Sequence, residues 1–269
     1  MEIEGRVFVV TGGGNGIGRE VVLGLLAKGA RVAAVDLRAD GLAETVQAAR
    51  AGDRLSTHVV DVTDRAAVEA LAVAVVDVYG RVDGLLNVAG IIQPFVPFSE
   101  LDLAAMDKVM AVNFWGVVHT VKAFLPHLVT RPQACVVNVS SMGAFAPVPG
   151  QTVYGASKAA VMLLTEGLWA EQRGTSVAVT CVFPGGVATD IGGHSGVPVP
   201  GGASADEDAP TSMTSPVEAA RRIIVDGVGE GRFRVVIGKD ARMLDRLTRL
   251  APRRATELVA RRMASLLDP

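Results

Sequence analysis

RVFVVTGGGNGIG, residues 6–18, decides the fold: an apolar β-branched run stops at Thr11, a glycine-rich turn follows, and an apolar-periodic stretch begins at Gly16. The first part reads as a buried strand and the last as a helix running to about Lys28. Glycine suits such a corner because it takes positive φ and lets the backbone approach a bound group closely. The helix N-terminus that follows offers unpaired N–H groups and the positive end of a dipole, which together suit a phosphate anion. The glycines fall at Gly12, Gly16 and Gly18, a departure from the commoner G-x-G-x-x-G spacing. Taken alone, the turn also fits a plain strand-to-helix corner, so its weight comes from its place between strand and helix.

The same alternation runs down the chain. RVAAVD leads to a predicted helix at about residues 42–50, STHVVDV to one at 65–78, DGLLNVAG to one at 106–128, and ACVVNVSS to one at 153–172. SVAVTCVF leads to one near 216–226, and RFRVVIG closes the series. The seven predicted strands are almost continuously apolar, which requires both faces of the sheet to be covered. Strand-helix alternation then dictates parallel pairing with right-handed crossovers. The expectation is a doubly wound α/β fold, a seven-stranded parallel sheet with helices on both faces, in one domain over residues 1–238.

Two segments stand apart from this pattern. Residues 191–215, IGGHSGVPVPGGASADEDAPTSMTS, are rich in Gly, Pro, Ser and Ala and follow the sixth strand at the sheet's carboxyl end. Long segments of this kind are lids or disordered, and the position at the sheet's carboxyl end favours a substrate lid here. Residues 239–269 read as a basic amphipathic helical extension broken at Pro252. Lys239, Arg242, Arg246, Arg249, Arg253, Arg254, Arg261 and Arg262 there outnumber Asp240, Asp245, Glu257 and Asp268. Packing on its own domain or a sister subunit fits this composition, and so does a membrane-surface or anionic-ligand role.

With 269 residues, 49% hydrophobic and 20% charged, the chain has enough apolar side chains for a full core. A net charge of -2 provides no basic field for nucleic acid, which is not an expected partner. Cys135 and Cys181 sit singly in apolar runs, and His58, His119, His127 and His194 lack metal-ligand spacing, so neither a disulfide nor a metal site is expected. The N-terminus MEIEGRVFVVT lacks the basic start and cleavage site of a secretory signal. Although mean hydropathy is +0.37, charged or glycine residues punctuate every apolar run before the roughly 18 residues a span needs. A cytoplasmic protein without a transmembrane segment is expected.

Candidate binding and catalytic groups fall at the predicted strand ends. Asp36 ends the second strand, where its carboxylate would accept hydrogen bonds from adenosine ribose hydroxyls, or else cap the next helix. The same charge would repel a 2′-phosphate by roughly 4 kcal/mol at about 4 Å and an effective dielectric near 20. Arg38 stands close by and weakens that conclusion, but NAD is expected rather than NADP. Asp61 and Val62 end the third strand, placed for the adenine amino group and ring face. NVAG, residues 87–90, ends the fourth with small residues that leave room for a cofactor or make a tight turn. YGASK, residues 154–158, puts Tyr154 and Lys158 four apart, hence on one helical face. A ring covered by a lysine stem accounts for such a pair equally well in isolation.

With TGGGNGIG, NVAG, Asn113 in NFWG, SS at 140 and 141, YGASK, and PGGVAT at 184–189 in that order, the chain resembles the short-chain dehydrogenase/reductase family over residues 1 to about 190. The resemblance implies a Rossmann-type fold and a catalytic group of Asn113, Ser141, Tyr154 and Lys158. Tyr154 would be the general acid/base, its phenol lowered from near 10 by the Lys158 ammonium. Lys158 would also hold the nicotinamide ribose, Ser141 the substrate oxygen, and Asn113 a water that carries protons away; Asn113 as an ordinary polar helix residue is the plainer account. Implied cofactor contacts run through Gly12, Asn15, Gly16, Ile17, Gly18, Asp36, Asp61, Val62, Asn87, Ala89, Gly90, Tyr154, Lys158, Pro184, Gly185, Val187 and Thr189. Val88 stands where the family often has asparagine. A homo-oligomer is implied as well, a dimer through helices 106–128 and 153–172, commonly doubled to a homotetramer.

The reaction implied is reversible hydride transfer between NAD and a secondary alcohol or ketone. Substrate-facing positions include Gln93, Met142, Phe145, Gln151 and Gly186, mostly apolar and without a cation, which suits an uncharged small molecule. Two other readings compete: an NADPH-dependent carbonyl or 3-oxoacyl reductase, and a non-catalytic NAD-binding regulator that kept the fold.

Overall fold

The computed structural model describes residues 1–198 and 213–267. Seven strands, β1 (Val7–Thr11), β2 (Arg31–Asp36), β3 (Leu55–Val59), β4 (Gly84–Asn87), β5 (Ala134–Val139), β6 (Val177–Pro184) and β7 (Arg234–Ile237), form one parallel sheet. Their order across the sheet is β3-β2-β1-β4-β5-β6-β7. The helices are α1 (Gly16–Ala27), α2 (Ala39–Ala49), α3 (Arg65–Tyr79), α4 (Leu103–Met110), α5 (Gly116–Leu128) and α6 (Thr152–Glu171). They continue with α7 (Ile191–Ser195), α8 (Pro216–Arg222), α9 (Lys239–Leu250) and α10 (Pro252–Arg262).

Strand geometry sends successive side chains to opposite faces, and each face has its own hydrophobic layer. From β1, Phe8 and Val10 pack with Val22 and Leu25 of α1 and with Ile223, whereas Val7 and Val9 pack with Leu71 and Val75 of α3 and Phe124 of α5. This two-sided burial is why the strands read as unbroken apolar runs. Thr11, the last residue of β1, lies opposite Val35 of β2 and Asn87 of β4. The chain leaves β1 toward β2 and β4 toward β5, in opposite directions across the sheet, so a crevice opens at the carboxyl ends of β1 and β4.

The helix expected at 106–128 begins earlier, at Leu103, where the Asp102 side chain accepts from Ala104 N at 3.3 Å. A π turn at Ala111–Trp115 interrupts it, and a second replaces the end of the helix expected to 226, at Ile223–Gly229. Widened turns leave no periodicity signature that a 3.6-residue pattern would catch. The run Leu103–Leu128 is long and apolar enough to cross a membrane by length and composition. Here Val117, Val121, Phe124 and Leu128 of that run are buried in the sheet's hydrophobic layer. Of the segment expected to be a lid, residues 199–212 lie outside the described residues. Its start is the short helix α7, and Thr214 at its end bridges Val187.

At the opposite, amino end of the sheet, Asp83 is fully buried. Its carboxylate accepts from Val7 N (3.0 Å), Arg81 Nε (3.1 Å) and Arg131 Nε (2.9 Å), with Arg6 Nη1 at 3.5 Å, and so ties the starts of β1, β4 and β5 together. Removing a buried carboxylate among partners strands their charges and the Val7 amide. Asp83→Ala is expected to lower the unfolding free energy by about 3 kcal/mol in urea titration; a loss below about 1 kcal/mol, the level of exposed pairs, would show that the cluster holds little.

Candidate active site

The glycine-rich turn is folded tightly onto the strand ends. Gly13 N donates to Val35 O (3.0 Å) and Gly14 N to Asp36 Oδ2 (2.9 Å), while Thr45 Oγ1 donates to Gly13 O (2.9 Å). Gly12 takes φ of 71° and Gly16 of 48°. A Cβ at Gly12 would lie 2.9 Å from Ala89 N, one at Gly14 2.9 Å from Asp36 Cγ, and one at Gly18 would strike Gly12 O. Only a chain without side chains closes this corner. Asn15, the residue before α1, is extended at φ -157° and makes no side-chain cap, so no capping side chain covers the first N–H groups of α1. Ile17 lies in that first turn and packs against the core layer of β1. Across the turn, Thr189 approaches to 3.3 Å of where a Gly16 side chain would begin. Residues 184–189 thus face the glycine-rich turn beside the uncapped N-terminus of α1, the end of a helix that suits a pyrophosphate.

Asp36 also accepts from Arg38 N (3.0 Å). The Arg38 guanidinium turns away to Asp40, Nη2 to Oδ2 at 2.6 Å, and that pairing holds the Asp40 carboxyl down at about 2. The cation that complicated the sequence reading therefore pairs with Asp40. Asp61 Oδ1 accepts from Thr63 N and Thr63 Oγ1, both at 2.8 Å, shaping the turn after β3. Val62 packs on Gly116, where any Cβ would come within 2.7 Å of it, and its carbonyl meets His119 Nδ1 at 3.0 Å.

Asn87 does not face the crevice. Its buried amide donates to Asn138 Oδ1 and accepts from Thr120 Oγ1, each at 2.8 Å, and Asn138 continues to Thr165 Oγ1 at 3.0 Å. Inside a low-dielectric layer such a network is satisfied internally. Thr11, which the sequence reading passed over, accepts from Val88 N (3.1 Å) and Ala89 N (3.2 Å) and so shapes the turn after β4. Hydroxyl-to-backbone contacts across distant strands have no local sequence mark.

Ser141, Tyr154, Lys158 and Asn113 come together at the carboxyl end of β5. Ser141 is extended at φ -165°, and its Oγ accepts from Gly143 N at 3.1 Å. Ser141 Oγ and the Tyr154 ring both lie 3.5 Å from where a Gly143 side chain would begin. Ser140 points inward, its Oγ donating to Lys158 O at 2.7 Å. Lys158 Nζ donates to Val139 O at 3.1 Å and stands 6.0 Å from the centre of the Tyr154 ring. Asn113, at the middle of the π turn and fully buried, accepts from Ile91 N (2.9 Å) and donates to Ile91 O (3.0 Å) and Ser157 Oγ (3.0 Å). Its side chain is thus occupied in holding the chain after β4 against α6. A Cβ at Gly90 would reach 3.0 Å from Lys158 Nζ and 3.2 Å from Asn113 Oδ1.

Burial pushes the Tyr154 phenol above its ordinary value, and the Ser141 hydrogen bond pulls it back. The same burial pushes the Lys158 ammonium down to about 8. The Ser141 contact lowers the phenol, and the Lys158 ammonium is directed at the Val139 carbonyl.

The two amides expected in the substrate pocket do other work. Gln93 is fully buried; its Oε1 accepts from Val153 N (2.8 Å) and Tyr154 N (3.0 Å), and its Nε2 donates to Gly150 O (2.8 Å). It caps the helix that carries Tyr154 across a distance of sixty residues, which no capping box in the sequence would announce. Gln151 Nε2 donates to Gln93 O at 2.7 Å and leaves its own buried Oε1 without a partner among the described residues. Met142 and Phe145 pack against Leu244 of α9 and Val259 of α10, and Phe145 tilts onto Phe183 at 5.6 Å. Past Pro184, Gly185 N donates to Ile237 O (2.8 Å), Gly186 N to Asp240 Oδ2 (2.8 Å) and Thr189 N to Val187 O (2.8 Å).

Comparison with known proteins places this geometry. A family model described as short chain dehydrogenase matches residues 6–196. The Mycobacterium tuberculosis (strain ATCC 25618 / H37Rv) protein named SadH is 39% identical over 269 residues, covering 96% of this chain and 95% of its own. Among solved structures, a short chain dehydrogenase/reductase from Burkholderia phymatum in complex with NAD superposes with a TM-score of 0.81 at 27% identity, over 93% of this chain and 96% of that one. A short chain dehydrogenase from Burkholderia cenocepacia J2315 in complex with NADP superposes at 0.80 and 27%, over 96% and 99%.

The lowered Lys158 has a consequence for stability. The unfolded chain keeps that proton to 10.5 and the folded one only to about 8, so between those values the unfolded state binds more protons and stability rises with pH. Relative to Lys158→Met, the wild type is expected to gain up to about 3 kcal/mol across that window. Paired urea titrations at successive pH values check this, and a constant difference would place the lysine in water instead.

Proposed function

Because the chain belongs to the short chain dehydrogenase family, we propose that it is an NAD-dependent oxidoreductase interconverting a secondary alcohol and a ketone, with Tyr154 as its general acid/base. The observation that carries this reading is the meeting of Ser141, Tyr154 and Lys158 at the end of β5, beside a glycine cradle that side chains would fill. The donor set fits a dinucleotide: the uncapped N-terminus of α1 for the pyrophosphate, Asp36 for the adenosine ribose, and Lys158 for the second ribose. Residues 184–189, with Val187 and Thr189, would hold the carboxamide. When bound, the nicotinamide supplies the hydride acceptor or donor.

The chain's own residues handle the oxygen and its proton. Ser141 turns its Oγ proton from the Tyr154 phenol to the substrate oxygen as charge builds there. Tyr154 takes the hydroxyl proton in oxidation and returns it in reduction. A phenol raised by burial is a reluctant base, so oxidation should accelerate with rising pH and reduction with falling pH. A nearby ammonium favours the phenolate, and Lys158 supplies it once Nζ turns from the Val139 carbonyl. Asn113 contributes by fixing Ile91 and α6, and the π turn it occupies breaks the helical hydrogen-bond ladder beside the lysine, the kind of place where a water is received.

Asp36 at the end of β2, with Arg38 committed to Asp40, supports NAD over NADP. An NADPH-dependent carbonyl or 3-oxoacyl reductase is the second reading, favoured by the likeness to an NADP complex. The apolar wall of Ile91, Met142 and Phe145 supports an uncharged substrate. Exposed Trp115 and Leu163 on the outer faces of the α5 and α6 layer support a homo-oligomer, which light scattering would report as a multiple of 27.9 kDa.

Tyr154→Phe is expected to lower kcat at least about 100-fold while NADH affinity stays within about twofold. Turnover that survives the substitution would remove Tyr154 from the reaction. Initial rates on a panel of secondary alcohols should favour NAD over NADP, and Asp36→Ala should narrow that preference by relieving charge repulsion. Equal rates with both coenzymes in the wild type would count against Asp36 as the selector.

A further inference from the structure

Among the described residues, the extension after β7 is joined to the turn after β6 by one side-chain hydrogen bond. Asp240, in the first turn of α9, directs its carboxylate at the turn after β6, where Oδ2 accepts the Gly186 N–H at 2.8 Å. Space for that carboxylate is cleared by glycines. A Cβ at Gly185 would strike Asp240 Oδ1 and Oδ2, and one at Gly238, whose φ is 99°, would strike Oδ1. Gly186 is meanwhile held on its other side, its carbonyl accepting from Thr214 N at 2.9 Å, and the next bond of that bridge runs from Ala188 N to Thr214 O at 3.0 Å. The turn therefore has its amide and carbonyl faces both engaged, one by the extension and one by the strand bridge.

The same extension backs the other wall. Leu244 of α9 and Val259 of α10 are buried with Ala146, and Met142, Phe145, Val148 and Met263 pack against them. One hairpin thus touches the loop after Ser141 by apolar contact and the loop after Pro184 by a charge-assisted hydrogen bond. Apolar contacts tolerate sliding, whereas a carboxylate-to-amide bond fixes distance and direction. Gly185 is paired to Ile237 at the end of β7, and Asp240 is the side chain that carries that register one residue further, to Gly186.

We propose that Asp240 is a positioning residue for the coenzyme's nicotinamide end, holding the Gly185–Gly186 turn so that Val187 and Thr189 are set to receive the carboxamide. This rests on the dinucleotide reading given above. Asp240 does not touch the reacting atoms and acts through the turn. The adenosine end, held by the glycine-rich turn and Asp36 on the far side of β1, lies outside its reach.

The test compares two ligands that differ only by the nicotinamide. Binding of NADH and of ADP-ribose to the full-length wild type, Asp240→Ala and Asp240→Asn is measured by calorimetry, with thermal unfolding as a check on the fold. Asp240→Ala is expected to weaken NADH about tenfold, the size of one lost charged hydrogen bond, and to leave ADP-ribose unchanged. Asp240→Asn keeps an acceptor oxygen and should recover most of the NADH affinity. Equal weakening of both ligands, no weakening of either, or no recovery by asparagine would overturn the role of Asp240. A wild type that binds neither NADH nor ADP-ribose would overturn the dinucleotide reading itself, and the role of Asp240 with it.

Discussion

Burial of the parallel sheet on both faces is the constraint on which the rest of the structure depends. Phe8 and Val10 must meet one helical layer while Val7 and Val9 meet the other, so neither layer forms without the sheet between them. Once both faces are covered, backbone polar groups are left open only at the strand ends and the edges. The amino ends are closed by Asp83 and its arginines. The carboxyl ends on either side of β1 are left to the glycine turn, which bonds back to β2 through Gly13 and Gly14 and sets the N-terminus of α1 over the crevice.

The acid/base group inherits the same burial. Tyr154 and Lys158 share one face of α6, and taking them out of water moves their protons in opposite directions, the phenol upward and the ammonium to about 8. Each shift disfavours the charged form of its own group. Ser141 opposes the trend for Tyr154 by hydrogen bonding. Around them, Asn113 and Gln93 spend their amides on backbone groups of Ile91, Val153 and Tyr154, so the chemistry-bearing helix is held by bonds from the turn after β4. That turn is shaped in its own right by Thr11. The site is therefore positioned by a chain of contacts running from β1 through the turn after β4 to α6, with each link hydrogen-bonded.

The extension beyond β7 belongs to this arrangement rather than hanging from it. Its basic character, visible in the composition of residues 239–269, describes the solvent side of α9 and α10, where Arg242, Arg246, Arg253 and Arg254 are exposed. Its inner side is apolar and lies on the walls that follow Ser141. An amphipathic hairpin packed on its own domain accounts for the alternation of arginine with leucine.

The amino-acid sequence by itself determined the fold class, the position of every strand, the glycine cradle, Asp36 at its strand end, and the order of Ser141, Tyr154 and Lys158. Each of these is written in local form, as a short unbroken apolar run, a helical period, a glycine where positive φ is required, or a motif in a fixed order. Tertiary structure alone decided which polar side chains face the crevice and which are consumed in holding it. Asn87 turned into a buried network with Asn138 and Thr120, Gln93 became the cap of α6, and Asp240 reached Gly186 across fifty-four residues. These bonds join residues far apart in the chain, and a hydrogen bond depends on direction and distance in space, which no residue type or interval in a linear sequence specifies.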